Sequence, residues 1–436
     1  MNLITIGKKI AGSRIIRGFL STMIGSGFSK IILVFLTFYC TNTLSQTEFG
    51  EFSFVRNTLN MILCICALNF SSLCTKFTVE ASSSRTSLRY LIILFAFSLS
   101  ICLVIGSLLL FAKESILLFV LKSHNLIFYF RAIGLLLPLF ILQPLIEGVL
   151  RGLMRFKIVG VLQIISSLFF LLSVIVGIER VGIQGAMISI IGYYLFYTFI
   201  SIGVLYWLRK RLMPISLGEI QKEDFGVLKT MILPVFFMSF IEAPIFWLAQ
   251  WMLIDYDRMD AVGSMTVIMQ IRNLAILIPT YFFNTFLAFA GELHSNKDFR
   301  AYFRKFNQLL LVLVILGVIL CLILSLWGCP ILSLFGSSYS ANYRDLFFSN
   351  LGIPLLMLSG LLRIDLIIQE HQKLLLYISI LWNTIWIAAF YLLLELNVIP
   401  LRAFFVSQLF GISLQSVLYY IIYRRDQKHL MSVRIE

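Results

Sequence analysis

Apolar residues in this chain run in long stretches, broken by short clusters of charged and turn-forming residues. A bilayer core about 30 Å thick needs roughly 20 apolar residues in a helix to cross it. The stretches near 18–40, 52–73, 90–112, 126–149, 158–177, 183–208, 230–254, 261–290, 306–327, 346–369, 374–394 and 403–423 meet that requirement. Helices are the natural reading. Lipid offers no partner for backbone polar groups, and barrel strands would be segments of alternating character only about ten residues long. The pattern predicts an all-α membrane protein with about twelve transmembrane helices.

Composition strengthens this reading, since 60% of the 436 residues are hydrophobic and 13% are charged. The formal net charge of +14 raises the question of nucleic acid, but the basic residues form no patch or tail. With the first residues on the cytoplasmic side, inner segments hold 24 of the Lys and Arg residues and outer segments hold 6. This is the positive-inside bias of a twelve-span protein with both termini cytoplasmic, and it accounts for the basicity without nucleic acid. Lys8, Lys9, Arg14 and Arg17 precede the first apolar run in the manner of a signal peptide. That run is too long for an h-region and lacks a small-residue cleavage site, so it reads as the first span.

The polar stretch 209–229 divides the chain into 1–208 and 230–436, each with six spans. The halves share faint signals. Arg56-Asn57 and Arg272-Asn273 are 216 residues apart, as are Lys157 and Lys373. Glu48-Phe49-Gly50 and Asp260-Ala261-Val262-Gly263 open corresponding spans. Two pseudo-symmetric six-helix bundles of this kind place a substrate cavity between the halves.

Five basic residues fall inside spans: Lys30, Arg56, Arg131, Arg272 and Arg363. An ionisable group in the bilayer is costly and turns toward a cavity or a partner. Lys30 is near the middle of its span and Arg272 is deep in the eighth, so both are substrate-binding candidates. Arg56 lies one turn into its span and divides evenly between function and snorkelling. Arg131 reads as an interface anchor, as does Arg363, for which a local pair with Asp365 is the alternative. Glu147 and Arg151, four residues apart, read as a structural pair. Glu242 lies between Pro234 and Pro244 in the seventh span and is the candidate for ion coupling, with permanent pairing to a basic residue as the alternative. Phe246 and Trp247 follow it as candidates for stacking on sugar rings.

Catalytic and cofactor signatures are missing. There is no GxxxxGK[ST], HExxH, CxxC or GxSxG, and the DxD-like Asp255-Tyr256-Asp257 lies in a very short outer connection. No catalytic residue, metal ligand or cofactor is expected. The seven cysteines read as packing residues, although Cys40 and Cys329 fall near the same outer face, which leaves a disulfide open.

With twelve spans in two halves, Leu44-Ser45-Gln46-Thr47-Glu48-Phe49-Gly50 after the first span, the proline-led seventh span and Leu334-Phe335-Gly336-Ser337-Ser338-Tyr339 before the tenth, the chain resembles the bacterial O-antigen and polysaccharide flippases. These belong to the multidrug/oligosaccharidyl-lipid/polysaccharide exporter superfamily. The resemblance implies a multi-pass protein of the bacterial cytoplasmic (inner) membrane that moves undecaprenyl-diphosphate-linked oligosaccharide between leaflets. It also implies coupling to H+ or Na+ and partnership with a polysaccharide polymerase and chain-length regulators. Related lipid II flippases carry cations in spans one, two and eight, where this chain has Lys30, Arg56 and Arg272. A drug/cation antiporter of the multidrug and toxic compound extrusion type shares the architecture, but cationic drugs favour an acidic cavity. A membrane polysaccharide polymerase or ligase would need large catalytic outer loops, which this chain lacks.

Overall fold

The computed structural model describes residues 14–67, 70–81, 85–208, 222–277, 279, 299–369 and 371–432, and these residues are almost entirely helical. The first half contains α1 (Arg14–Thr43), α2 (Gln46–Cys66), α3 (Ser71–Ala81), α4 (Arg85–Phe111), α5 (Glu114–Leu121), α6 (His124–Phe140), α7 (Leu142–Gly152), α8 (Phe156–Val181) and α9 (Ile183–Leu208). The second contains α10 (Leu233–Ala275), α11 (Phe299–Leu326), α12 (Gly328–Leu334), α13 (Tyr343–Ile368), α14 (Gln372–Glu395) and α15 (Pro400–Ser432).

Among the described residues, ten segments are long and apolar enough to cross a membrane, and each coincides with one of the twelve expected spans. The 26 residues of α8 rise about 39 Å, enough for the hydrocarbon core. The other two expected spans correspond to α10, which is broken at Arg258. There φ is 68° and ψ is −179°, a conformation that a side chain disfavours. The last part of the second expected span, 261–290, lies outside the described residues.

Two expected spans are segmented. The second breaks after Cys66 and resumes as α3, and the fourth breaks at Ile141 into α6 and α7. Pro138 and Pro144 flank the latter break, where each ring removes a backbone donor. The outer connection after α4 folds as the short helix α5.

The chain divides into two compact units, one of Met1–Leu44 with Glu51–Trp247 and the other of Ser45–Gly50 with Leu248–Glu436. The sequence places the division in the polar stretch 209–229, most of which lies outside the described residues. In the structure it falls inside α10, because the first arm of that helix is tied to the N-terminal unit. Asp224 pairs with Arg89 of α4 at 2.8 Å, the Phe236 ring meets Phe97 edge-on, and Trp247 Nε1 donates to Thr58 Oγ1 of α2 at 2.9 Å.

Within each unit the packing follows one scheme. In the first, α4 packs on α6, α8 on α9 and α7 on α9; in the second, α11 packs on α13, α14 on α15 and α13 on α15. In span order both sets are third on fourth, fifth on sixth and fourth on sixth, as expected of a repeat. The core of the second unit is built from Tyr302, Phe306, Leu361, Leu362, Tyr419 and Tyr423, contributed by α11, α13 and α15.

The two acidic–glycine motifs meet inside the second unit. Ser45 and Glu48 form a reciprocal capping box that starts α2: Ser45 N donates to Glu48 Oε2 at 2.9 Å, and Glu48 N donates to Ser45 Oγ at 3.3 Å. Thr47 Oγ1 then donates to Asp260, and Gly50 lies against the Met259 carbonyl. The motif that signals the repeat in sequence is thus a helix crossing in the structure.

Candidate functional site

Arg272 is on the second arm of α10 and is 5% exposed. Its Nη1 donates to Gln408 Oε1 of α15 at 2.7 Å, while its Nε is buried with no acceptor. Gly352 of α13 faces the same guanidinium, and a Cβ there would come within 4.0 Å of Nη1. Among the described residues Arg272 makes no ion pair. It is a buried cation held by a neutral amide.

Arg56 of α2 is half-buried in the first unit. Its Cζ lies 5.9 Å from the Phe52 ring centroid, within cation–π range. Its polar neighbours are Cys40 of α1 and Tyr194 and Tyr193 of α9, and the Tyr194 hydroxyl donates to Asn60 Oδ1 at 2.9 Å. No carboxylate pairs with Arg56 among the described residues. Each unit therefore carries an arginine on the second span of its repeat, facing neutral polar groups on the sixth.

Lys30 lies on the exposed surface of α1 in its unit. Trp247 is committed to α2 through its bond to Thr58 and its ring, 6.3 Å from that of Phe54. Phe246, beside it, is half-buried. Helix α10 runs through Glu242, but the Glu242 side chain lies outside the described residues.

The reading of Arg363 with Asp365 as an ion pair needs correction. Two positions apart on a helix, they point to different sides. Arg363 is exposed, whereas Asp365 is fully buried and accepts a hydrogen bond from Tyr302 of α11. Arg131 is exposed, as befits an anchor. Arg151 Nη2 does donate to Glu147 Oε2 at 2.7 Å, as the sequence spacing implies. Glu147 has further partners: Gln143 at 2.9 Å and Gln163 at 3.3 Å, and the Tyr197 hydroxyl. Cys40 is buried and Cys329 exposed, and both are free thiols. Among the described residues no group of His, Cys, Asp and Glu has the makings of a metal site.

Sequence reasoning missed Gln408, Tyr193 and Tyr194 because it sought partners for the buried cations only among charged residues. A signal was there for Gln408, an amide within the apolar run Phe404-Phe405-Val406-Ser407-Gln408-Leu409-Phe410, since amides inside spans seek partners on other helices. An apolar groove of about 830 Å³ lies between α8 and α9, lined by residues that include Lys157, Phe196, Gly203 and Trp207 but none of Lys30, Arg56 or Arg272.

The fold is similar to that of an inward-facing multidrug resistance MATE family transporter of the MOP superfamily, with a TM-score of 0.77 at 12% identity over 94% of this chain and 96% of that one. It is also similar to a MOP superfamily transporter from Pyrococcus furiosus, described as having a binding pocket of reverse polarity that suggests a different function. That likeness has a TM-score of 0.72 at 14% identity over 96% of both chains. No curated protein sequence matches the chain. A family model for polysaccharide biosynthesis proteins matches residues 15–286, more than half of the length. With this match, and with all-helical spans in the fold of the MOP superfamily, the chain belongs to the polysaccharide biosynthesis protein family.

Proposed function

We propose that this protein is a transporter that moves undecaprenyl-diphosphate-linked oligosaccharide from the cytoplasmic to the periplasmic leaflet of the bacterial inner membrane by alternating access. The observation that carries the reading is Arg272, a buried guanidinium whose bonded partner is a neutral amide. A buried charge normally acquires an opposite charge, because desolvation is otherwise uncompensated. A cation left without one suits an anionic cargo. Arg56, among aromatic and hydroxyl groups, has the same character, and Lys30 adds a third positive charge within the spans. A diphosphate meets such groups through charge-assisted bonds, Arg in bidentate fashion and Lys as a point charge. The polyprenyl tail stays in lipid, and the sugar passes through a wet interior. Phe246 and Trp247 are the candidates for stacking on the sugar rings.

A drug/cation antiporter is the second reading, favoured by the fold likeness to multidrug transporters. A reversed pocket polarity, as described for the Pyrococcus furiosus protein, is the better match to the basic inventory here. The test is Arg272→Ala in a host strain lacking its own copy of the gene. Surface polysaccharide is expected to vanish while the amount of protein in the membrane is unchanged. Normal polysaccharide with Arg272→Ala sinks the role, and acquired resistance to cationic drugs on expression of the wild type favours the antiporter.

Glu242 is the coupling residue in this proposal. A carboxylate that binds an ion differently in two states biases their populations. Glu242→Gln, which cannot titrate, is expected to slow transport at least tenfold and to flatten its pH or Na+ dependence in proteoliposomes. Full activity with the same ion dependence removes Glu242 from the mechanism.

A further inference from the structure

We propose that Gln408 is a positioning residue that holds Arg272 through a neutral hydrogen bond, so that the guanidinium keeps its full charge for a phosphate oxyanion. This rests on the reading of Arg272 as an anion-binding group. The side chains are 136 residues apart in sequence, and both are buried, Gln408 at 6% exposure and Arg272 at 5%. Their 2.7 Å bond is short, as expected when the donor is charged.

The identity of the acceptor matters. A glutamate at 408 would occupy the same volume and accept the same bond, but would cancel the charge and offer two oxygens to the fork of the guanidinium. The amide orients the group without neutralising it. One edge stays available: Nε, which with a terminal nitrogen makes the fork that takes a phosphate in bidentate fashion, is buried without an acceptor. Gly352 of α13 leaves open the space beside the group, since a Cβ there would already lie 4.0 Å from Nη1.

The first unit repeats the logic with other residues. Arg56, 216 positions earlier, faces Tyr193 and Tyr194 on the corresponding sixth span, again polar and again uncharged at neutral pH. In both units the charge sits among neutral groups. An ordinary structural arginine would be expected to pair with an acid, as Arg89 and Arg151 do.

The experiment uses the full chain in nanodiscs, melted with and without inorganic pyrophosphate, together with surface polysaccharide production in the host strain. Wild type is expected to melt higher with pyrophosphate. Gln408→Glu is expected to melt higher than wild type without the anion, to show no further rise with it, and to lose polysaccharide. Gln408→Met, which keeps volume but cannot accept the bond, is expected to fold and to bind pyrophosphate roughly tenfold more weakly. If Arg272→Ala loses the pyrophosphate response while Gln408→Glu keeps both response and transport, the positioning role is overturned and the anion reading stands. If Arg272→Ala responds as wild type does, the anion reading itself fails. If neither Gln408 variant folds, Gln408 is a packing residue and the assignment is overturned.

Discussion

Gly50→Val is expected to abolish accumulation of folded protein. A Cβ at this position would lie 2.0 Å from the Met259 carbonyl oxygen and 2.7 Å from its carbon. No rotamer relieves the clash, because the backbone alone fixes where Cβ stands and the obstacle is also backbone. Helix α2 would have to lift away from residues 259–263, giving up the Thr47–Asp260 hydrogen bond and the close approach at Gly263, where an added Cβ would lie 3.1 Å from the Gln46 carbonyl oxygen. Overpacking a well-filled site costs about 1–3 kcal/mol, and loss of the crossing takes the total beyond that range. Gly27→Val is the control, since a Cβ at Gly27 meets nothing within 4 Å. Size-exclusion profiles and melting curves in detergent should show a folded peak for the control and none for Gly50→Val. A normal peak for both would mean that the crossing is not tight.

Glu147→Leu is the second substitution with a large expected effect. The carboxylate is 5% exposed and accepts hydrogen bonds from Arg151, Gln143, Gln163 and Tyr197. Leucine fills much of the volume but leaves four donors without an acceptor, one of them a half-buried guanidinium. Removing one member of a buried pair costs about 3–5 kcal/mol, mostly through the charge left behind. Glu147→Gln keeps an acceptor oxygen and is expected to cost about 1–3 kcal/mol. Adding Arg151→Leu to Glu147→Leu should restore part of the loss, because the stranded cation goes with it. Chemical or thermal unfolding of wild type, Glu147→Leu, Arg151→Leu and the double variant gives the coupling energy. If Glu147→Leu lies within about 1 kcal/mol of wild type, the network contributes little to stability.

The charges of this protein divide by task. Most lysines and arginines fall between the expected spans, and within spans Arg131 and Arg363 are exposed groups. Glu147–Arg151 and Arg89–Asp224 are internal ties of the N-terminal unit. What remains for the proposed chemistry is the pair of cations without acidic partners among the described residues, Arg56 and Arg272. On the proposed function an anionic cargo needs these positive charges unneutralised, and their neutral neighbours on the sixth span of each repeat suit that need.

The sequence by itself determined the spans and their helical form, because these follow from local solvation. Each stretch of about 20 apolar residues must satisfy its own backbone groups in lipid, whatever the rest of the chain does. The Glu147–Arg151 pair was legible for the same reason, since four residues along a helix is a fixed distance. Partnerships across helices were decided by tertiary structure alone. Nothing local tells Asp365 to take Tyr302 in place of Arg363, Trp247 to bond Thr58 and so draw the first part of α10 into the N-terminal unit, or Gly50 to rest on Met259. Above all, the sequence marked Arg272 as a buried cation, but only packing decided that its partner is the neutral Gln408. Helix faces meet according to shape and small-residue spacing summed over whole elements, and that sum is not written at any single position.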